Sequence, residues 1–227
     1  MASLTTILSI SESVGITDKR FIGQTMSRNQ RISTSEILSV QPFGFEMKPM
    51  NYLLLSQNKT LLSDLRTIDR EYESYLNFGS TGWLNYIQYQ GDMTSYQISA
   101  CQIQPASANK TIVLGSLPTI PSTSYIVKTG DYLQLGRYAY IATADVLRGS
   151  GTTVNIPVHR TIMTAFGSDK PAVIGQYGTT QSLGGSTYTG ITFPVILVEY
   201  PNYNLIPMTN DSFIAWSGTF KAIEAVL

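Results

Sequence analysis

Across residues 125–160 the chain alternates short apolar runs with turn residues, in an order that predicts a three-stranded meander. Tyr125–Val127 leads into a Gly130-Asp131 turn, Tyr132–Leu135 makes a strand, and Gly136-Arg137 is the tight connection to a strand over 138–143. After the Gly149-Ser150-Gly151 turn, Val154, Ile156 and Val158 alternate with Thr153, Asn155 and Pro157. That period of two marks a strand with one face on a core. Pro157 removes a ladder donor, which puts this strand at a sheet edge or at its own end.

The same reasoning extends to the rest of the chain. Residues 2–10 predict a strand of β-branched and small residues, and 36–46 another, with Ile37, Phe43 and Phe45 on one phase and Leu38 and Val40 on the other. Between them, 19–31 carries Lys19, Arg20, Arg28 and Arg31 with little apolar material. These pieces predict a long hairpin whose basic tip is either an ordinary solvated loop or a contact for an acidic neighbour in an assembly, and is too polar to order before assembly.

Leu61, Leu65, Ile68, Tyr72 and Tyr75 recur at spacings of four and three, which predicts one amphipathic helix over about 58–76, capped by Ser56 to Asn58 and ended by Asn77-Phe78-Gly79. Its other face pairs Arg66 with Asp69 and Arg70 with Glu73, a side that meets solvent or another subunit. Strands follow over 83–90, 96–103 (with a buried Cys101) and 111–114, joined irregularly around Pro105, Pro118 and Pro121. Residues 167–190, rich in Gly, Ser and Thr, predict a long loop or loose hairpin.

The end returns to strands. Residues 191–200 are apolar enough for burial on both faces, and in 213–227 Phe220, Ala222 and Val226 share a phase. A terminal strand beside 2–10 would close the sheet. The organisation expected is a main β domain of 1–104 plus 191–227, carrying the helix, with 105–190 inserted as the meander module and its loop.

Composition narrows the function classes. Of 227 residues, 43% are apolar, enough for a sizeable core, but only 13% are charged, about half the usual share. The surface is therefore polar and uncharged, or covered by other subunits. Fifteen basic and fifteen acidic residues cancel, leaving no field to grip a phosphate backbone or an anionic membrane. The start of the chain has neither a basic n-region nor a long apolar run, and Cys101 is alone, so folding in a cytosol without disulfides is expected. The triplets at Asn58, Asn109 and Asn210 are then chance glycosylation patterns.

The order of features in 125–160, K-T-G-D-Y-L-Q-L-G, a short turn, Y-A-Y-I-A-T-A-D, G-S-G and an alternating strand ending P-V-H-R, resembles a small β-module of tailed-bacteriophage tail proteins, of the distal-tail and tube-proximal baseplate type. Ile156-Pro157-Val158-His159-Arg160 departs from the Trp-Pro expected before the last basic residue. With one helix, an early long hairpin and strands at both ends, the chain is also similar to the tube-like β-sandwich or barrel of tail-tube proteins. The resemblance implies a non-enzymatic virion component, made in the host cytoplasm. It would form a six-fold ring with its own copies and contact tube, hub, baseplate or sheath proteins. The residues expected to make contacts are Lys19, Arg20, Arg28, Arg31, Arg66, Arg70, Tyr138 and Tyr140. The alternative is a carbohydrate-binding or host-recognition module using tyrosines, among them Tyr86, Tyr89 and Tyr96, together with 167–190.

Catalytic chemistry finds little support. His159, beside Arg160, is the one imidazole, and a hydrogen bond at a strand end suits it better than general-base work. Asp92, Asp131 and Asp145 fall at turns, where carboxylates bind backbone, rather than as the spaced pair of a cell-wall glycosidase. Asp69, Glu71 and Glu73 diverge around a helix. Gly149-Ser150-Gly151 lacks the Lys and helix of a phosphate loop. No metal-ligand cluster appears, and no cofactor is expected.

Overall fold

The computed structural model describes residues 4–18, 22–26, 32–36, 42–68, 72–79, 85–105, 109–163 and 167–226. The protein is mainly β, built from small antiparallel sheets with three short α-helices among the described residues. The chain divides into two compact units, Met1–Ser9 with Glu73–Pro194 and Ile10–Tyr72 with Val195–Leu227. The boundaries fall at 9/10, 72/73 and 194/195, where the sequence pattern put two, at 104/105 and 190/191.

The larger unit holds two four-stranded sheets. In one the order is Tyr138–Ile141, Tyr132–Leu135, Val173–Ile174, Tyr177–Gly178; in the other it is Val154–Pro157, Thr111–Gly115, Gln102–Ile103, Lys170–Pro171. The expected hairpin across Gly136-Arg137 is present, with Tyr132 opposite Ile141 and Leu135 opposite Tyr138. The third meander strand does not join it. Val154–Pro157 pairs instead with Thr111–Gly115, touching its expected neighbour only through an Ala142–Val158 bridge. Pro157 does lie on an edge strand.

Residues 167–190 prove less loop-like than their composition suggests. Ala172, Val173 and Ile174 are buried, and Gln181–Leu183 forms a hairpin with Ser186–Tyr188. At the heart of this unit a side chain acts as a strand: Gln134 Nε2 donates to Thr192 O, and Thr192 N–H donates back to Gln134 Oε1, both at 2.7 Å.

Two expected strands are helices. Thr5–Ser9 buries Ile7 and Leu8, which with Leu4 are spaced at three and four, a helical interval. In Ser95–Ala100 the Thr94 side chain accepts from Gln97 N–H, while the Gln97 side chain accepts from Thr94 N–H. This is a capping box written in the sequence as T-S-Y-Q. Cys101 is buried as expected, but at the end of this helix, where Sγ donates to Gln97 O at 3.3 Å and burial pushes its thiol up to about 11. Of the strand expected over 83–90, residues 85–87 form a 3₁₀ turn instead.

In the smaller unit Ser11–Thr17, Gly44–Pro49, Phe220–Glu224 and the later residues of Thr192–Glu199 lie side by side in that order. The C-terminal strand thus sits between Gly44–Pro49 and Thr192–Glu199, not beside 2–10. Phe43, Phe45, Met47, Phe220 and Ala222 fill the inner face of these strands. Glu224 shares their phase and is buried, its carboxylate accepting from Phe43 N–H, while Val226 is exposed. Thr192–Glu199 is buried on both faces only in its first half, since Val198 is 60% exposed at a bulge. The expected long hairpin of 2–10 with 36–46 is not the one formed: Ser11–Thr17 pairs with Gly44–Pro49, and Ile22–Met26, inside the expected tip, pairs with Ile32–Glu36; Lys19, Arg20, Arg28 and Arg31 lie outside the described residues.

The amphipathic helix is real but shorter than expected, Leu55–Thr67 rather than 58–76. Leu61, Leu62 and Leu65 are buried, then the backbone turns extended at Ile68. Thr67 and Ile68 are adjacent β-branched residues, poor helix formers, and Ser74–Asn77 continues as a strand, where Tyr75 packs on the Tyr188 ring at 5.6 Å. Ser56 and Asn58 do not cap from outside: both lie within the helix, and the cap arrives from Asp211, which accepts from Ser56 N–H and Oγ at 3.1 and 2.6 Å.

Candidate functional site

Of the eight residues expected to make contacts, Lys19, Arg20, Arg28, Arg31 and Arg70 lie outside the described residues. Arg66 is exposed in the last turn of its helix, and its guanidinium donates to Tyr203 Oη at 3.4 Å. Tyr138 and Tyr140 are buried and present no outer surface. Arg137 lies over the Tyr138 ring at 5.6 Å and Arg160 over that of Tyr140 at 5.2 Å, while Tyr140 Oη accepts from Met163 N–H. These tyrosines close the core of the larger unit. The expected Arg70–Glu73 pair falls partly outside the described residues; Glu73 itself lies beyond the helix and pairs with Arg137. The same carboxylate binds Tyr75, whose hydroxyl is pushed up to about 12 by burial and then by Glu73.

The residues weighed for catalysis serve the backbone. His159 Nδ1 accepts from Ile141 N–H at 3.0 Å. Asp92 accepts from Tyr125 N–H, Asp145 from Thr129 N–H and Oγ1, and Asp131 from the N–H groups of Gln90 and Lys128. Burial raises Asp131 despite its two donors, whereas the Thr129 bonds hold the exposed Asp145 below its ordinary value. Among the described residues, no three His, Cys, Asp or Glu side chains are grouped to hold a metal ion. No helix there is long and apolar enough to cross a membrane. Of the tyrosines weighed for sugar binding, Tyr96 is 84% exposed but Tyr89 is buried, so the three form no shared platform.

The surface that does stand out was not among the expected residues. In the smaller unit Asn202–Met208 and Asp211–Ser217 make a seven-residue hairpin in full register, from Asn202–Ser217 to Met208–Asp211. The turn is Thr209-Asn210, with Asn210 at φ 69°, a conformation that Asn tolerates better than most residues. Asp211–Ser217 is the central strand: Leu53–Leu54 pairs on its far side, and Leu55–Thr67 packs against it. Its Ile214 and Trp216 are buried, and Trp216 meets the Tyr203 ring at a tilt and the Phe220 ring edge-on, each at 5.3 Å.

Asn202–Met208 is the edge strand and stays almost wholly exposed. Leu205, Ile206 and Met208 are each between two-fifths and one-half exposed. On one face Ile206 lies opposite Phe213, whose ring meets that of the exposed Tyr52 at 6.0 Å, so Met208, Ile206, Phe213 and Tyr52 form an apolar strip across the hairpin and the residue before Leu53–Leu54. Where Gly44–Pro49, Phe220–Glu224 and Thr192–Glu199 lie side by side there is an outward depression of about 240 Å³, where Val198 and Ile223 flank Gly44, with Glu46 and Lys221 beside them. An apolar edge strand bearing unpaired backbone groups is a template for another chain. What this arrangement can do is bind protein.

The sequence signal for it was the run Y-P-N-Y-N-L-I-P-M, which has no charge between Glu199 and Asp211. No protein-family model matches the chain, and a search of curated proteins finds no relative.

Proposed function

We propose that the protein is a structural component of a bacteriophage tail, an adaptor or wedge element at the distal tube or baseplate. It acts by assembling with copies of itself and with tube, hub or sheath neighbours. The observation that carries the assembly part is the open apolar edge of Asn202–Met208 with the strip of Tyr52, Phe213, Ile206 and Met208 beside it. Monomeric proteins commonly blunt such an edge with charge, and this one carries none. The tail assignment is supported by the ordered turn and strand features of 125–160. Low charge and uncharged polar surface agree with a protein covered by neighbours, and the histidine and carboxylates are occupied in holding backbone.

The test is electron microscopy of the purified full chain, followed by mixing with tail-tube protein. Closed rings that stack on tube ends are expected. Single particles that neither ring nor bind tubes would overturn the reading.

A further inference from the structure

The open edge has a specific donor and acceptor pattern. Ile214, opposite Leu205, sends its carbonyl away from the hairpin to accept from Tyr52 N–H at 3.0 Å. In an antiparallel ladder, opposed pairs alternate between exchanging both bonds and exchanging none. Leu205–Ile214 is therefore a pair that exchanges none, and the N–H and C=O of Leu205 point out from the edge. The same holds two residues either way, at Tyr203 and Pro207. Pro207 has no N–H, so it costs the hairpin no bond and leaves the edge with two donors, at 203 and 205, and three acceptors, at 203, 205 and 207. Pro201 closes the pattern at the other end.

We infer that the occupant of this edge is the same strand of a second copy, added antiparallel about a two-fold axis at Leu205. This rests on the assembly reading of the same surface and names its partner. In that register Leu205 N–H of each copy meets Leu205 C=O of the other, and Tyr203 N–H meets the Pro207 C=O. Every outward donor is satisfied, and the missing donor of Pro207 leaves only the Tyr203 carbonyl over. Leu205 faces its own copy, Ile206 faces Asn204, and the two Ile206 side chains meet on the diagonal. With no charged residue from 200 to 210, the pairing sets no like charges against each other. Such an isologous contact doubles whatever the remaining surfaces build.

The experiment compares the full wild-type chain with Leu205→Lys by light scattering. Leu205 is 48% exposed, so the substitution leaves the fold intact by circular dichroism, and the assembly mass falls by half. Independently, the double variant Asn204→Cys/Ile206→Cys cross-links to a dimer under oxidation, while Asn204→Cys alone does not, because Asn204 faces Ile206; Cys101 is buried and stays out of the reaction. An assembly whose mass Leu205→Lys leaves unchanged would overturn this pairing alone and leave the assembly reading standing. Efficient cross-linking by Asn204→Cys alone would overturn the register. A wild-type chain that never associates would overturn both.

Discussion

Single side chains in this protein mostly replace missing backbone partners, and their loss should be correspondingly costly. Gln134 is the clearest case: replaced by Leu, it would leave the buried N–H and C=O of Thr192 unpaired. Each such group costs about 1–3 kcal/mol, so denaturant unfolding of Gln134→Leu should show a loss of roughly 2–6 kcal/mol. Gly175 sits at φ 58°, where an added Cβ would lie 2.6 Å from the Ile87 carbonyl. Gly175→Ala therefore strains the backbone and meets another backbone, and its melting temperature should fall well below that of an exposed Gly→Ala control such as Gly185→Ala.

Asp131 gives a pH signature. Burial raises its folded pKa above 3.8, so its contribution to stability is complete below that value and is lost as pH rises through the folded pKa. Asp145 and Asp211 are held low by hydrogen bonds, so theirs is present above 3.8 and lost as pH falls through the folded values. Carboxyl NMR titration should find Asp131 with a midpoint above 3.8 and the other two below. The turn roles of Asp92, Asp131 and Asp145 and the strand-end role of His159 were legible because short polar side chains at turns have few other uses. The burial of Tyr138 and Tyr140 was not. A tyrosine in a strand reads the same whether an arginine such as Arg137 or Arg160 covers it from inside or a partner covers it from outside.

Among the elements, legibility followed the strength of the local signal. The hairpin around Gly136-Arg137 and the strand at Thr111–Gly115 carried both period and turn chemistry, and both formed. The helices at Thr5–Ser9 and Ser95–Ala100 had only one or two turns of signal, and β-branched residues in them suggested strands. The capping box should nonetheless be measurable: Thr94→Ala is expected to cost about 1 kcal/mol, read in denaturant unfolding. The longer helix was overextended because its apolar spacing ran on past Thr67 into Tyr72 and Tyr75, which the ladder and the Tyr188 contact draw elsewhere. Its start depends on a carboxylate from the hairpin, a long-range cap that no local pattern reveals. Asp211→Ala should speed amide exchange in the first turn of Leu55–Thr67 and near Asn210, while Ser11–Thr17 keeps its protection.

For the whole molecule, the mainly β class follows from alternation and turn chemistry, but the strand order does not, since Phe220–Glu224 joins Gly44–Pro49 across most of the chain's length. The candidate surface was missed for a related reason. Tyr203, Leu205 and Pro207 look like an ordinary strand until Leu53–Leu54 and Asp211–Ser217 are seen to leave one side of it open. The composition pointed to covered surfaces without saying which.

The proposed association of copies through this open edge has a direct readout in mass. Its most direct test is the native mass of the full chain by light scattering across a wide concentration range. The expected result is a defined oligomer that forms as concentration rises and whose mass falls by half in Leu205→Lys. A single-chain mass at every concentration would contradict it.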